Sequence, residues 1–322
     1  MEKKILVTGA SGFAGRHLVE HLSRKEKDSR IFGTCHNNIL ESSSSVEYVK
    51  LALENYSDTE AVVADIKPDE VYHLAAVSFM PDAVADRLGT YRANVDGGVC
   101  LLEALAVHAP ACRILYTSSS DAYGKIDPAE NPIRETHPLN PENTYSATKV
   151  IMEVICSQYS RKPGLDIVIA RPFNHTGPGQ SEKFVAPAFA MQIARIEAGL
   201  SEPVIMTGGL DVQRDFTDVR DVVVAYAELM RLGERGGVYN VCSGRAVGVE
   251  WILNTLLGLS IQPEVRHKIA PSRKRSSENK VIYGSNEALR KLTGWRPAIA
   301  LEKTLADLLE DCRRRAKNQD TG

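Results

Sequence analysis

Short apolar runs and longer amphipathic stretches alternate along the first half of the chain. "KILVTGA" is followed by "GRHLVEHLSRK", "RIFGTCH", "TEAVVADI", "DEVYHLAA", "NVDGGVCLLEALAVHA", "CRILYTSSS", "YSATKVIMEVICSQYS" and "LDIVIARP". The short runs have the length and continuous hydrophobicity of strands buried on both faces, and the longer ones carry the helical period. Strand and helix in strict alternation predict βαβ units: an α/β fold with a Rossmann-like, doubly wound parallel sheet. Beyond Pro172 the alternation loosens as proline and glycine clusters interrupt it. We therefore expect a dinucleotide-binding domain over residues 1–173, also receiving 212–243, and a smaller, discontinuous α/β substrate lobe over 174–322.

The opening turn narrows the ligand. "VTGASGFAG" places Gly9, Gly12 and Gly15 between the first strand and the first helix. Ligands of open parallel sheets lie beyond the carboxyl ends of the strands, where glycines let helix N-terminal amides approach a pyrophosphate. The spacing is GxxGxxG, which implies a modified turn. At the end of the second strand, where an acid would hold the 2′-hydroxyl of NAD, the chain has Thr34, His36, Asn37 and Asn38. An uncharged end with Arg16 after the last glycine favours NADP(H), with NAD(H) also possible.

Composition removes several classes. Hydrophobic residues are 43%, charged residues 25%, and the net charge is −2, so a nucleic-acid partner is not expected. The six cysteines are scattered, without zinc-like spacing, implying a reduced, cytoplasmic protein with no metal. The N-terminal apolar run is too short for a signal peptide or a span, so no membrane is expected.

"ENTYSATKVIMEVI" puts Tyr145 and Lys149 four apart, on one helix face. A cation near a phenol favours the phenolate and eases proton exchange. The strand "CRILYTSSS" ends in Thr117, Ser118, Ser119 and Ser120 at the edge where the cofactor should lie. A serine hydroxyl and a phenol converging there could hold and protonate a carbonyl oxygen.

The glycine turn, "HLAA" at His73–Ala76, the serine after the fifth strand and the YxxxK pair together resemble the extended short-chain dehydrogenase/reductase family, over nearly the whole chain. The resemblance implies that Ser119 holds the substrate oxygen, Tyr145 is the acid/base, and Lys149 lowers its pKa and binds the nicotinamide ribose. Further cofactor contacts are expected from Ser11, Phe13, Ala14, Leu74, Ala75, Ala76, Thr117, Arg171 and Pro172. Asn94 is a candidate contact as well as a structural amide near the site, and His73 reads as a packing or backbone-bonding residue.

For the substrate, "ARPFNHTGPGQ" offers Asn174 at a turn-rich mouth between lobes, and "GGLDVQRDFTDVRDVVVAY" offers Arg214 as a fork for diphosphate oxygens. In "SRKRSSENKVIYG", Arg273 and Lys274 read as solvated, whereas Arg275 would clamp the diphosphate and Glu278 accept from a ribose. Ser78, Ser120 and Val185 complete the expected substrate contacts. The segments around 138–149 and 208–222 look most like GDP-mannose-modifying members of the family, the 4,6-dehydratases and the reductases of their 4-keto-6-deoxy product.

Dehydratases carry a glutamate two residues after the hydroxyl residue. Here "SSD" supplies Asp121, one methylene shorter, either a weak acid/base or a turn residue. The expectation is NAD(P)H-dependent reduction of a GDP-linked 4-keto-6-deoxy sugar, giving a product such as GDP-D-rhamnose. A dehydratase or epimerase on the same fold is the alternative, and a non-catalytic dinucleotide sensor a third. The helices containing Asn94 and Tyr145 could pair across a twofold axis, which implies a homodimer.

Overall fold

The computed structural model describes residues 2–36, 40–43, 45–161, 164–262, 264–270 and 280–319. Six strands come from the first 172 residues: β1 (Lys3–Thr8), β2 (Ser29–Cys35), β3 (Val46–Lys50), β4 (Glu70–His73), β5 (Arg113–Thr117) and β6 (Asp166–Pro172). They form a parallel sheet in the order β6-β5-β4-β1-β2-β3, and the strand Val238–Val241 adds a seventh, parallel to β6. The order reverses between β4 and β1, so the chain winds outward in both directions from that point. Such a switch point leaves a crevice at the carboxyl edge of the strands.

Alternation along the strands explains why both faces are apolar. Ile5 and Val7 of β1 face one core with Leu18 and Leu22 of helix α1 (Phe13–Lys25) and with Val222, Tyr226 and Leu229 of the helix Val219–Leu232. Leu6, between them, faces the other core, shared with Val63 of helix α2 (Tyr56–Ile66), Leu101 and Leu105 of the helix Gly97–His108, and Met152 and Cys156 of the helix Thr144–Tyr159. Each one-residue step changes the face.

Three further helices, Val185–Glu197, Val249–Gly258 and Leu301–Gln319, enclose a separate core containing Phe189, Ile193, Leu253, Leu305 and Leu308. The two lobes interleave along the chain. The helix Val219–Leu232 and the strand Val238–Val241 return to the large sheet, and Leu289 and Trp295 also pack into its first core. Among the described residues, no helix is long and apolar enough to cross a membrane.

Candidate active site

Parallel pairing brings the ends of β1, β4, β5 and β6 to one edge. The glycine turn leaves β1 there. Gly9 has φ +70°, and a Cβ on it would lie 2.9 Å from the Ala75 backbone. A side chain at Gly15 would collide with the Gly9 carbonyl, and one at Gly12 would sit 3.1 Å from the same oxygen. Backbone therefore packs on backbone, which only glycine permits. Helix α1 begins at Gly12 with no side-chain cap and no acid in its first turn. Its amides at Phe13, Ala14 and Gly15 are thus presented without a protein anion, the donor set a dinucleotide pyrophosphate requires. These residues fit the cofactor that the sequence implies.

The surrounding contacts lock the turn. Leu74 N–H donates to the Thr8 carbonyl (3.3 Å) and Ala75 N–H to the Thr8 hydroxyl (3.2 Å), with Ala76 following. Arg16 is exposed, and its Nε donates to the Ser11 carbonyl at 2.9 Å. Phe13 stacks on His175 with centroids 5.9 Å apart. His36 lies exposed at the end of β2, 3.9 Å from the Glu54 carboxylate. That acid comes from beyond β3, so reading β2 alone could not place it there. Asn37 lies outside the described residues.

At the next strand ends, Ser119 and the helix Thr144–Tyr159 meet. Asn143 caps that helix by accepting from Ser146 N–H at 2.9 Å, while the Ser146 hydroxyl accepts from Asn143 N–H. This reciprocal cap sets Tyr145 in the first turn, one turn before Lys149. Ser119, Tyr145 and Lys149 are all buried. Burial pushes the Tyr145 phenol up, the Asp121 charge adds to the rise, and a hydrogen bond from Ser119 opposes both. Burial lowers the Lys149 ammonium to about 8, against the opposing influence of Cys156 and Glu153.

Lys149 Nζ donates to the Thr117 carbonyl at 2.7 Å and lies 5.8 Å from the Tyr145 ring centroid and 5.2 Å from that of Tyr116. The Thr117 hydroxyl itself donates to the His73 carbonyl at 2.8 Å. His73, buried beside Lys149, is lowered to about 3, and its Nδ1 is 2.7 Å from the Thr8 hydroxyl. It is a neutral bonding residue. Asp121 is exposed in the 3-10 turn Ser120–Tyr123, its N–H donating to Ser119 Oγ at 3.1 Å; Ser120 is half-buried.

Two expected cofactor side chains are otherwise engaged. Asn94 sits in a π-helical turn, Arg92–Asp96; its amide donates to the Val77 carbonyl (3.1 Å) and the Thr148 hydroxyl (3.0 Å) and accepts from Val77 N–H (2.7 Å). Arg171 is buried against Glu153, with Nε–Oε1 at 2.9 Å and Nη2–Oε2 at 2.6 Å, while Nη1 donates to the Tyr123 hydroxyl and the Glu135 carbonyl. Its guanidinium is a structural fork, so a cofactor contact from Arg171 would have to use the backbone.

The substrate side is less closely packed. Ser78 and Asn174 are exposed, Val185 is 36% exposed at the start of its helix, and Arg214 is half-buried, with Nη1 2.8 Å from the Gln213 carbonyl. Two cross-lobe contacts flank Ser78 and Val185: Phe79 against Phe184, edge to face at 5.5 Å, and Lys183 to Asp82 at 2.6 Å. Both were missed from the sequence, since nothing local marks partners a hundred residues apart. Arg273, Lys274, Arg275 and Glu278 lie outside the described residues, as does any contact they make. Among the described residues, no group of His, Cys, Asp or Glu could hold a metal ion.

A switch-point crevice with a glycine turn on one side and a buried Ser–Tyr–Lys set on the other defines an extended short-chain dehydrogenase/reductase. Within that class, the family model described as GDP-mannose 4,6 dehydratase matches residues 6–308, and the chain belongs to that family. It is 35% identical over 319 residues to GDP-6-deoxy-D-mannose reductase from Pseudomonas aeruginosa, covering 99% of this chain and all of that one. GDP-6-deoxy-D-talose 4-dehydrogenase from Aggregatibacter actinomycetemcomitans is 30% identical over 272 residues, 82% of each chain. Among solved structures, RMD from Pseudomonas aeruginosa complexed with NADPH superposes with a TM-score of 0.84 at 33% identity, covering 97% of this chain and 99% of that one.

Proposed function

We propose that this chain reduces the C4 ketone of a GDP-4-keto-6-deoxy-mannose type nucleotide sugar to a GDP-6-deoxyhexose such as GDP-D-rhamnose, using NADP(H), with NAD(H) as a possible substitute. The observation that carries the reading is the convergence of buried Ser119, Tyr145 and Lys149 at one strand edge, with Lys149 tied to the Thr117 carbonyl at 2.7 Å, accompanied by an exposed aspartate where dehydratases have a glutamate. Full-length similarity to a reductase of GDP-6-deoxy-D-mannose supports it.

In this reading a bound reduced nicotinamide supplies the hydride. The Ser119 hydroxyl donates to the C4 oxygen and holds it against Tyr145, which gives up its phenolic proton as charge develops on that oxygen. Lys149, held by the Thr117 carbonyl, stabilises the phenolate left behind. Gly9, Gly12 and Gly15 seat the pyrophosphate, and Asn174, Arg214 and Arg275 take the substrate diphosphate, with Glu278 on the ribose. Residues 1–173 with 212–243 act as the dinucleotide domain.

One arrangement keeps a dehydratase as the second reading: Asp121 lies two residues after Ser119, its N–H on Ser119 Oγ at 3.1 Å. A base there could serve C5 proton abstraction. The deciding experiment mixes the protein with NADPH and GDP-4-keto-6-deoxy-mannose, with GDP-mannose in parallel. Oxidation of NADPH with the keto sugar alone establishes the reductase. Conversion of GDP-mannose to a keto sugar without net cofactor consumption establishes the dehydratase.

We also propose a cytoplasmic homodimer. All six cysteines are free, and Ile151 and Val154 (38% and 66% exposed) lie on the helix of Tyr145, with Leu88 and Val107 (72% and 61% exposed) on neighbouring helical segments. Sedimentation showing only monomer at micromolar concentration would remove the dimer.

A further inference from the structure

Glu153 is one helical turn beyond Lys149, and its carboxylate is the meeting point of three segments. It accepts from the Ser118 hydroxyl at the end of β5 and, on both oxygens, from the Arg171 fork at the end of β6. Both members of the pair are about 95% buried. Arg171 extends the network through the Tyr123 hydroxyl, which donates to Asn240 Oδ1 at 2.7 Å; Asn240 in turn donates to the Ile133 carbonyl at 3.0 Å. The three parts that must converge are thereby tied to one carboxylate: Ser119 follows Ser118, and Tyr145 and Lys149 precede Glu153 on its helix.

Stability does not explain such a pair. Two buried charges lose hydration, and a well-packed apolar pair of the same volume is commonly as stable or more so. What the ion pair supplies and an apolar pair cannot is directional bonding to Ser118 and a negative charge beside Lys149. The other groups facing Lys149 are Tyr145 and Cys156 on its own helix, Tyr116 and the Thr117 carbonyl from β5, and His73 from β4. Tyr116 and Cys156 are raised by burial and His73 is lowered, so near neutral pH none of these side chains carries charge. Glu153 is the anion among them.

We infer that Glu153 and Arg171 are positioning residues for the proposed reduction, Arg171 orienting the Glu153 carboxylate so that it fixes Ser119 against Tyr145 and keeps Lys149 cationic. The inference rests on the reading of Ser119, Tyr145 and Lys149 as the reacting set. Because a cationic Lys149 is the required form, activity that depends on it is lost as pH rises through its pKa. Removing the anion moves that loss to lower pH.

The test uses the full chain with lysine side chains labelled with nitrogen-15, following the Lys149 Nζ resonance (assigned with Lys149→Arg) against pH, together with the pH profile of kcat. Glu153→Gln should lower the Lys149 midpoint by on the order of one unit and shift the alkaline limb of kcat with it. The apolar replacement of both partners, Glu153→Leu with Arg171→Met, should melt no lower than the parent, yet show the same lowered midpoint and a kcat reduced about tenfold or more. An unmoved Lys149 midpoint in either folded variant, or parental kcat and pH profile in the double variant, overturns the inference. Should Glu153→Gln fail to fold, the double variant decides. If the parent shows no turnover with the keto sugar, the functional reading fails by itself, and the Lys149 titration still decides the electrostatic inference.

Discussion

The Lys149 ammonium donates a 2.7 Å hydrogen bond to the Thr117 carbonyl, so the helix that bears the phenol is fastened to the end of the strand that delivers the serine. Strand and helix are 32 residues apart in sequence at this contact. The bond places a buried cation between the two halves of the site, and several measurable consequences follow from that geometry and from the turn beside it.

Tyr145→Phe removes the proton donor and leaves the ring. It should lower kcat with the keto sugar by about 10²–10⁴-fold and leave NADPH affinity close to parental. Stopped-flow single turnovers and fluorescence titration of NADPH separate the two; near-parental kcat would take Tyr145 out of the acid role.

Lys149→Met should abolish most turnover while stabilising the cofactor-free protein at neutral pH. The folded ammonium sits at about 8, below its ordinary 10.5, because burial disfavours the charge. Between those values the unfolded chain binds more protons than the folded one, so parental stability rises with pH across that window. Below it the cation costs on the order of 3 kcal/mol. The melting advantage of Lys149→Met should therefore shrink from pH 7.5 to pH 10.5; a gap independent of pH contradicts this account.

Two glycines should fail differently. At Gly15 a methyl meets the Gly9 carbonyl and, at 2.9 Å, the Ala10 backbone, so Gly15→Ala should lose about 1–3 kcal/mol of stability. Gly12 is exposed, and its nearest clash is one oxygen at 3.1 Å. Gly12→Ala should melt within a few degrees of the parent but bind NADPH about tenfold or more weakly. Melting curves paired with cofactor titrations distinguish folding damage from lost approach to the pyrophosphate.

Phe184→Ala removes one half of the edge-to-face contact with Phe79 across the lobes. Little stability is at stake on a half-exposed ring, but the wall beside Ser78 and Val185 loses its support. KM for the sugar nucleotide should rise several-fold with kcat less affected, the signature of lost uniform binding. An unchanged KM would place this contact outside the substrate crevice.

The sheet, its parallel strands and the trio proposed to react were legible because each has a local signature: apolar runs, a glycine turn, a YxxxK pair on one helix face. The apolar period after Asp218 marked a helix, and that helix, Val219–Leu232, packs on the large sheet, whereas Val212 and Phe216 just before it pack in the separate core. The sequence could not show that Leu289 and Trp295 come back to the sheet's first core, since that pairing depends on packing between segments far apart. Arg171 illustrates the limit at the site. The family resemblance suggested a cofactor contact there, but the side chain's direction was decided by Glu153, which on the helix reads as an ordinary polar residue. The Glu54 carboxylate beside His36 was hidden in the same way, behind a change of strand.

The strand Val238–Val241 completes the sheet at the β6 edge from a point late in the chain. During synthesis, the first 173 residues emerge with β6 unpaired on one side and with the Val168 and Ala170 face lacking the cover of Val222 and Tyr226. An exposed strand edge beside bare apolar surface invites pairing with another chain. A fragment ending near residue 173 is therefore expected to aggregate, and the nascent chain stays vulnerable until roughly three quarters of it, through Val241, has been made.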